Sequence, residues 1–184
     1  MAKVSLKNVR LSFPDLFTAR PFKPGDEPKF KATFLIPKDD PQIKVVEAAI
    51  LEAATEKFGK KAAAIIVGIR GNSNKFGFQD GNTKDYDGYE GMMALSASSK
   101  ARPLVIDRDK TQLGEADGKP YAGCYVNASV EVFAYTNSGN GIAASLKGVQ
   151  FVRDGDSFGG GAPASPDEFD DLGVDPEESD DLAG

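Results

Sequence analysis

The chain has 184 residues, a formal net charge of −6, one cysteine and no histidine. That length suits one domain with an appendage, and Cys124 alone excludes an intramolecular disulfide. The missing histidines exclude Ser–His and Cys–His nucleophile pairs, histidine general bases and histidine metal sites.

In chain order, Val4, Leu6, Val9, Leu11 and Phe13 alternate with a one-residue slip near Asn8. The pattern predicts a long strand bent by a bulge. Residues 14–28 hold Pro14, Pro21, Pro24, Gly25 and Pro28 and read as a loop in which Phe17, Arg20, Phe22 and Lys23 interleave rings and cations. Phe30, Ala32, Phe34 and Ile36 then alternate with Lys29, Lys31 and Thr33, predicting a half-buried strand. Asp39-Asp40-Pro41 supplies a helix start. Ile43, Val46, Ala49, Ile50 and Ala53 carry the helical period onward, and Gly59 is its C-terminal stop. Residues 60–69 fit helix or strand. Residues 70–91 form a polar excursion rich in Gly, Asn and Asp, before strands resume at 92–98, 103–106 and 125–135. The last of these turns Val126, Ala128, Val130, Val132 and Ala134 inward. Ser138-Gly139-Asn140-Gly141 is a hairpin turn, and 142–152 returns. One main α-helix among five or six strands predicts a mainly β chain built as a small barrel.

Charge divides the chain sharply. All 22 basic residues lie in 1–153 against 17 acidic ones, leaving that body at +5, whereas 154–184 hold eleven acidic residues and no basic one. Gly159-Gly160-Gly161, Pro163 and Pro166 read as a linker. The low hydrophobicity and single-sign charge beyond it predict a disordered acidic tail over 154–184, behind a domain at 1–153. Phe158, Phe169, Leu172, Val174 and Leu182 punctuate that tail.

A cationic body with rings in a polar excursion suits unpaired nucleic acid, since flat rings stack on bases while cations follow phosphates. Candidate stacking residues are Phe76, Phe78, Tyr86, Tyr89 and Tyr125; candidate phosphate contacts are Lys29, Lys31, Arg70, Lys75, Lys84, Lys100 and Arg102. Phe30, Phe34 and Phe133 are assigned to the core by default. The tail is read as a tethered polyanion able to occupy the body's own cationic groove. Three other chemistries fit poorly. Asp80, Asn82 and Lys84 lack the third oxygen of a calcium loop. Gly68 and Gly71 are followed by no phosphate-loop lysine. Asp85, Asp87 and Glu90, or Asp107 and Asp109, lie in Gly-rich loops where acids form turns. A magnesium-dependent nuclease on those carboxylates and a DNA-mimicking interaction module stay open as alternatives. Cys124 reads as a small buried apolar residue.

The sequence resembles a family of phage single-stranded DNA-binding proteins. The likeness runs through Leu11-Ser12-Phe13-Pro14, Phe34-Leu35-Ile36-Pro37-Lys38, Gly88-Tyr89 and Arg102-Pro103. It continues in Tyr121-Ala122-Gly123-Cys124-Tyr125-Val126 and Val149-Gln150-Phe151-Val152-Arg153-Asp154-Gly155. The resemblance implies an OB-fold barrel that binds single-stranded DNA in phage replication or recombination, without catalysis or cofactor. It also implies a tail that recruits replication or recombination proteins, for which Asp167, Glu168, Phe169, Asp170, Asp171, Asp180, Asp181 and Leu182 are the candidates. Such tails often end in phenylalanine, whereas this sequence closes on Asp180-Asp181-Leu182-Ala183-Gly184. With no signal-peptide core and no apolar run of spanning length, the expected location is the cytoplasm, that of the host cell for a phage protein, with no membrane partner.

Overall fold

The computed structural model describes residues 1–158 and 166–173. Its strands are β1 (Ala2–Arg20), β2 (Lys29–Pro37), β3 (Phe78–Asp80), β4 (Met92–Ser99), β5 (Leu104–Ile106), β6 (Tyr125–Tyr135) and β7 (Gly141–Arg153). Two helices, α1 (Gln42–Phe58) and α2 (Ala62–Ile69), lie between β2 and β3. Thus residues 60–69, which fitted either state, fold as helix after a short 3-10 turn.

Antiparallel pairing joins β2 to β1 and to β4, β1 to β6, and β6 to β7. A parallel bridge between Ser98 of β4 and Ser145 of β7 closes the ring. The closed order β1–β2–β4–β7–β6 is a five-stranded barrel with the connectivity of an OB fold. Short β3 and β5 extend the sheet from β4 and β7.

The slip in β1 is a bulge: the register with β6 shifts between Leu6 and Val9, and Asn8 takes a φ of 52°. Backbone freed there finds side chains instead. Lys7 N donates to Gln42 Oε1 at 2.6 Å, Gln42 Nε2 donates to Lys7 O at 2.9 Å, and Asn8 N donates to Asn127 Oδ1 at 2.9 Å. The bulge therefore ties α1 to the barrel wall. A second break follows between Ser12 and Asp15, where Phe13 has a φ of 46°. Pro14 sits in this irregularity, so it does not stop the strand, and the segment expected to be a loop from residue 14 remains extended to Arg20.

Inward alternation fills the barrel with Leu6, Leu11, Phe34, Ile36, Val130 and Leu146, and α1 adds Val46, Ile50 and Ala54. The core assignment of Phe30 and Phe34 is met, whereas Phe133 stands half-buried on the outer side of β6 beside Tyr135. Cys124 is fully buried, and burial pushes its thiol pKa up.

After β7 the chain does not leave the body. Tyr121 Oη donates to Asp154 Oδ1 at 2.7 Å, Arg10 Nη2 donates to Asp156 O at 2.7 Å, and Phe158 N donates to Ala122 O at 3.1 Å. Residues 154–158, expected to belong to a disordered tail, are thus fixed to the barrel. Within 166–173 there is one 3-10 turn at Pro166–Glu168, followed by exposed Phe169 and Leu172. Asp180, Asp181 and Leu182 lie outside the described residues.

Candidate nucleic-acid interface

A groove of about 870 Å³ crosses the outer surface of β2 and β4. Its floor comes from strand alternation: the residues that point away from the core here are Thr33 on β2, Ala94, Ser96 and Ser98 on β4, and Ala143 on β7. None is long, so the floor is shallow and open, with Thr33 and Ser96 hydroxyls 3.4 Å apart. Sequence reading recognised β4 as a strand. It gave no weight to the fact that its outward set, Ala94-x-Ser96-x-Ser98, is uniformly small.

Rings and cations rise around this floor. Tyr86, 54% exposed, packs edge-on against Phe13 at 4.9 Å between centroids and against Tyr89 at 5.2 Å. Phe22 stands in solvent with the Lys31 ammonium 5.5 Å over its ring. Tyr135 also lines the groove. Lys29 and Lys31 project from β2, Lys84 comes from the polar excursion, and Arg20 from the end of β1. Carboxylates interleave with them: Asp15, Asp26 and Glu27 line the same groove, and Arg20 pairs with Asp15 at 3.3 Å.

Several sequence candidates are buried or covered, although Phe76 and Tyr89 still border the groove. Phe76 and Phe78, expected as solvent-facing stacking rings, are each 1% exposed. The reason is topological. β4 and β7 meet only at Ser98 and Ser145. Away from that bridge, residues 75–80 are laid into the open seam: Gly77 N donates to Ile142 O, Ile142 N to Lys75 O, and Ser96 N to Gly77 O, at 3.1, 2.8 and 2.9 Å. Alternation about Gly77 then sends both phenylalanines into the core. Tyr89 is only 3% exposed; its hydroxyl donates to Ser12 Oγ at 2.9 Å, and burial pushes its phenol pKa up. Tyr89 therefore supports Tyr86 from behind rather than offering its own face. Tyr125 does point outward, but the Arg153 guanidinium covers its ring at 3.6 Å and Arg10 lies 5.8 Å from it.

Among the cations, Lys29, Lys31 and Lys84 reach the groove, whereas the other four do not line it. Arg70 makes a two-pronged pair with Glu47 at 2.8 and 3.0 Å. Lys75 donates to the Ser138 carbonyl, Lys100 pairs with Glu27 at 3.1 Å, and Arg102 lies 5.6 Å over Phe30. Phe13, Phe22, Arg20 and Tyr135 were absent from the candidate set. The interleaved rings and cations of residues 14–28 were the signal for Phe22 and Arg20; Phe13 is exposed only because the second break in β1 turns it out.

Of the carboxylates considered for magnesium, Asp107 and Asp109 are engaged locally. Asp107 Oδ1 accepts from Arg108 N at 2.8 Å and Asp107 Oδ2 pairs with Lys119 at 3.0 Å, while Asp109 Oδ1 accepts from Thr111 N at 3.0 Å.

A closed OB barrel with a shallow groove walled by tyrosine, phenylalanine and lysine is the architecture of single-strand nucleic-acid binders. The chain belongs to the family of the Enterobacter phage Enc34 single-stranded DNA-binding protein, whose model matches residues 2–183. A putative protein of Acyrthosiphon pisum secondary endosymbiont phage 1 is 50% identical over 178 residues, covering 96% of this chain and 97% of that protein. The Enc34 single-stranded DNA-binding protein, solved in complex with single-stranded DNA, superposes with a TM-score of 0.72 at 26% identity, over 86% of this chain and 90% of that one. A second structure of the Enc34 single-stranded DNA-binding protein gives 0.68 at 27% identity, over 92% of this chain and 90% of that one. The single-stranded DNA-binding protein of bacteriophage T7, at 17% identity and a TM-score of 0.53 over 94% and 97%, shares the fold.

Proposed function

We propose that this protein binds single-stranded DNA without sequence preference along the β2–β4 groove, in phage replication or recombination, and performs no catalysis. The observation that carries the reading is the small-residue floor beside an exposed tyrosine, with lysines on the adjoining strand. Bases laid across Ser96 can reach the Tyr86 face, and Phe22 offers a second ring. Lys29, Lys31 and Lys84 serve the phosphates. The polar groups of the floor are the short hydroxyls of Thr33, Ser96 and Ser98, each able to donate or accept, so binding through ring faces and phosphates is sequence-tolerant.

The acidic tail regulates this binding and recruits replication or recombination proteins. Residues 159–184 carry nine acidic residues and no basic one. Their root, Phe158, packs against Tyr89 at the back of the groove's aromatic cluster. A polyanion tethered there competes with weakly held phosphates at an effective concentration of order millimolar.

The test is fluorescence anisotropy of labelled oligo-dT over a salt series, with duplex of equal length alongside. Binding to the single strand that exceeds binding to duplex and weakens with salt is expected. Equal affinity for duplex, or no affinity for oligo-dT, overturns the proposal.

A further inference from the structure

The segment after β7 holds a phenylalanine that neither the barrel core nor the groove uses. Phe158 leaves the last strand, crosses over Gly123 and inserts beside Leu35, Tyr89, Ala94 and Met92. That cluster is separate from the barrel interior: Leu35 points outward from β2 and is fully buried only because Tyr89 and its neighbours cover it.

The seat is built for this ring. Gly88 takes a φ of 82°, and a Cβ there would lie 2.5 Å from the Phe158 ring. Arg10 lies over the ring beside Gly88, its guanidinium carbon 4.2 Å from the centroid and its Nη1 3.6 Å from where that Cβ would sit. Arg10 is itself fixed, with Nε donating to Gly123 O at 3.0 Å and Nη2 to Asp156 O at 2.7 Å. Gly123 and Gly155 also sit where the returning chain leaves no room for a Cβ. Contacts from β1, from the turn at Gly88 and from the turn at Gly123 thus converge on a segment that composition assigns to the tail.

Beyond Phe158 lies Tyr89, and beyond Tyr89 lie Tyr86 and Phe13, which are edge-packed in one cluster. The turn that carries Tyr86 is tied at its ends: Lys84 N donates to Gly81 O at 3.0 Å, Tyr89 N to Tyr86 O at 3.3 Å, Gly91 N to Asn82 Oδ1 at 2.9 Å, and the Tyr89 hydroxyl to Ser12 Oγ at 2.9 Å. Phe158 packs against the Leu35–Tyr89–Ala94 cluster and meets the turn at Gly88.

We propose that Phe158, seated against Gly88 and Arg10, is a positioning residue that holds the Tyr86–Tyr89 turn in its DNA-stacking arrangement. Without it the turn samples other conformations, and binding must first order them, which lowers affinity without touching a groove residue. The inference rests on the groove reading above.

The test uses the full-length chain, so that tail charge stays constant. Phe158→Ala is compared with Phe158→Leu and wild type in oligo-dT anisotropy, and by amide hydrogen exchange of the free proteins. The expected result is affinity weaker by about three- to tenfold in Phe158→Ala, the size of one aromatic packing contact. The salt slope stays unchanged, amide exchange accelerates within 84–91 and not in β1 or β6, and leucine recovers most of the affinity. Unchanged affinity with unchanged exchange at 84–91 overturns the proposal. Tighter binding by Phe158→Ala overturns it too, because Phe158 would then be holding the tail over the groove. If wild type itself fails to bind oligo-dT the groove reading is lost, and exchange at 84–91 still decides whether Phe158 orders the turn.

Discussion

Tyr86→Ala isolates the stacking contribution to binding. The side chain is 54% exposed and touches Phe13 and Tyr89 only edge-on, at 4.9 and 5.2 Å, so its removal leaves the barrel interior intact. The stability cost is about 1–3 kcal/mol, two edge-to-face contacts at about 0.5–1.5 kcal/mol each. That stays below a typical domain stability of about 5–15 kcal/mol. Binding by the folded protein should weaken separately, since one base stacked on an aromatic is worth about 1–3 kcal/mol, or roughly 5- to 150-fold in dissociation constant. The substitution removes a ring and no phosphate-contacting cation, so plots of log affinity against log salt for wild type and Tyr86→Ala should be parallel and displaced. Tyr86→Phe keeps the ring and should bind within about twofold of wild type. Anisotropy with labelled oligo-dT measures all three quantities. Wild-type affinity in Tyr86→Ala, or a changed slope at equal displacement, refutes the assignment of Tyr86 to base stacking.

Lys29→Ala combined with Lys31→Ala should do the converse, reducing the salt slope by about 1.4, or 0.7 per lost phosphate contact on a single strand. The same titration checks it, with equal loss on oligo-dT and oligo-dA. Deletion of residues 159–184 changes the net charge from −6 to +3 and leaves Phe158 in place. It should tighten binding at low salt, with the gain fading as salt screens the tail. Ser96→Trp builds a large ring onto the groove floor from an exposed position and should abolish binding. Its stability from urea unfolding should change by no more than a surface substitution's roughly 0.5 kcal/mol.

What the sequence made legible follows from how local each determinant is. The bulge at Asn8 shows as a phase slip within ten residues, and the β6–β7 hairpin shows as two alternating runs around Ser138 and Gly139, both of which adopt positive φ. The outward placement of Lys29 and Lys31 was legible because β2 alternates through Phe34. Phe76 and Phe78 were misplaced because no stripe in their own segment marks them as buried. The seam they fill exists only once β4 and β7, far apart in sequence, fail to pair along their whole length. Alternation correctly turned Tyr125 outward, but Arg153 and Arg10, which cover it, come from other strands. Arg70, Lys75 and Lys100 were taken by partners 23, 63 and 73 residues away in the chain. Phe158 was assigned to the tail because composition changes at Arg153, whereas the pocket that holds it is assembled from residues 10, 35, 88, 89 and 92.

The mixture of charges in the groove bears on how the tail can discriminate between ligands. Asp15, Asp26 and Glu27 offset much of what Arg20, Lys29, Lys31 and Lys84 provide, so the local field is only modestly positive. A duplex keeps its base faces stacked inside and can offer this groove little beyond phosphates. The tail offers carboxylates, so it competes with duplex in kind, and nine tethered charges suffice against a weak cationic site. A single strand brings base faces to Tyr86 and Phe22 as well, a contribution that no run of aspartates can match. On the proposed reading the tail therefore acts as a filter: it suppresses phosphate-only binding strongly and stacked binding weakly. The difference between oligo-dT and duplex affinity should then be larger in the full chain than after deletion of residues 159–184.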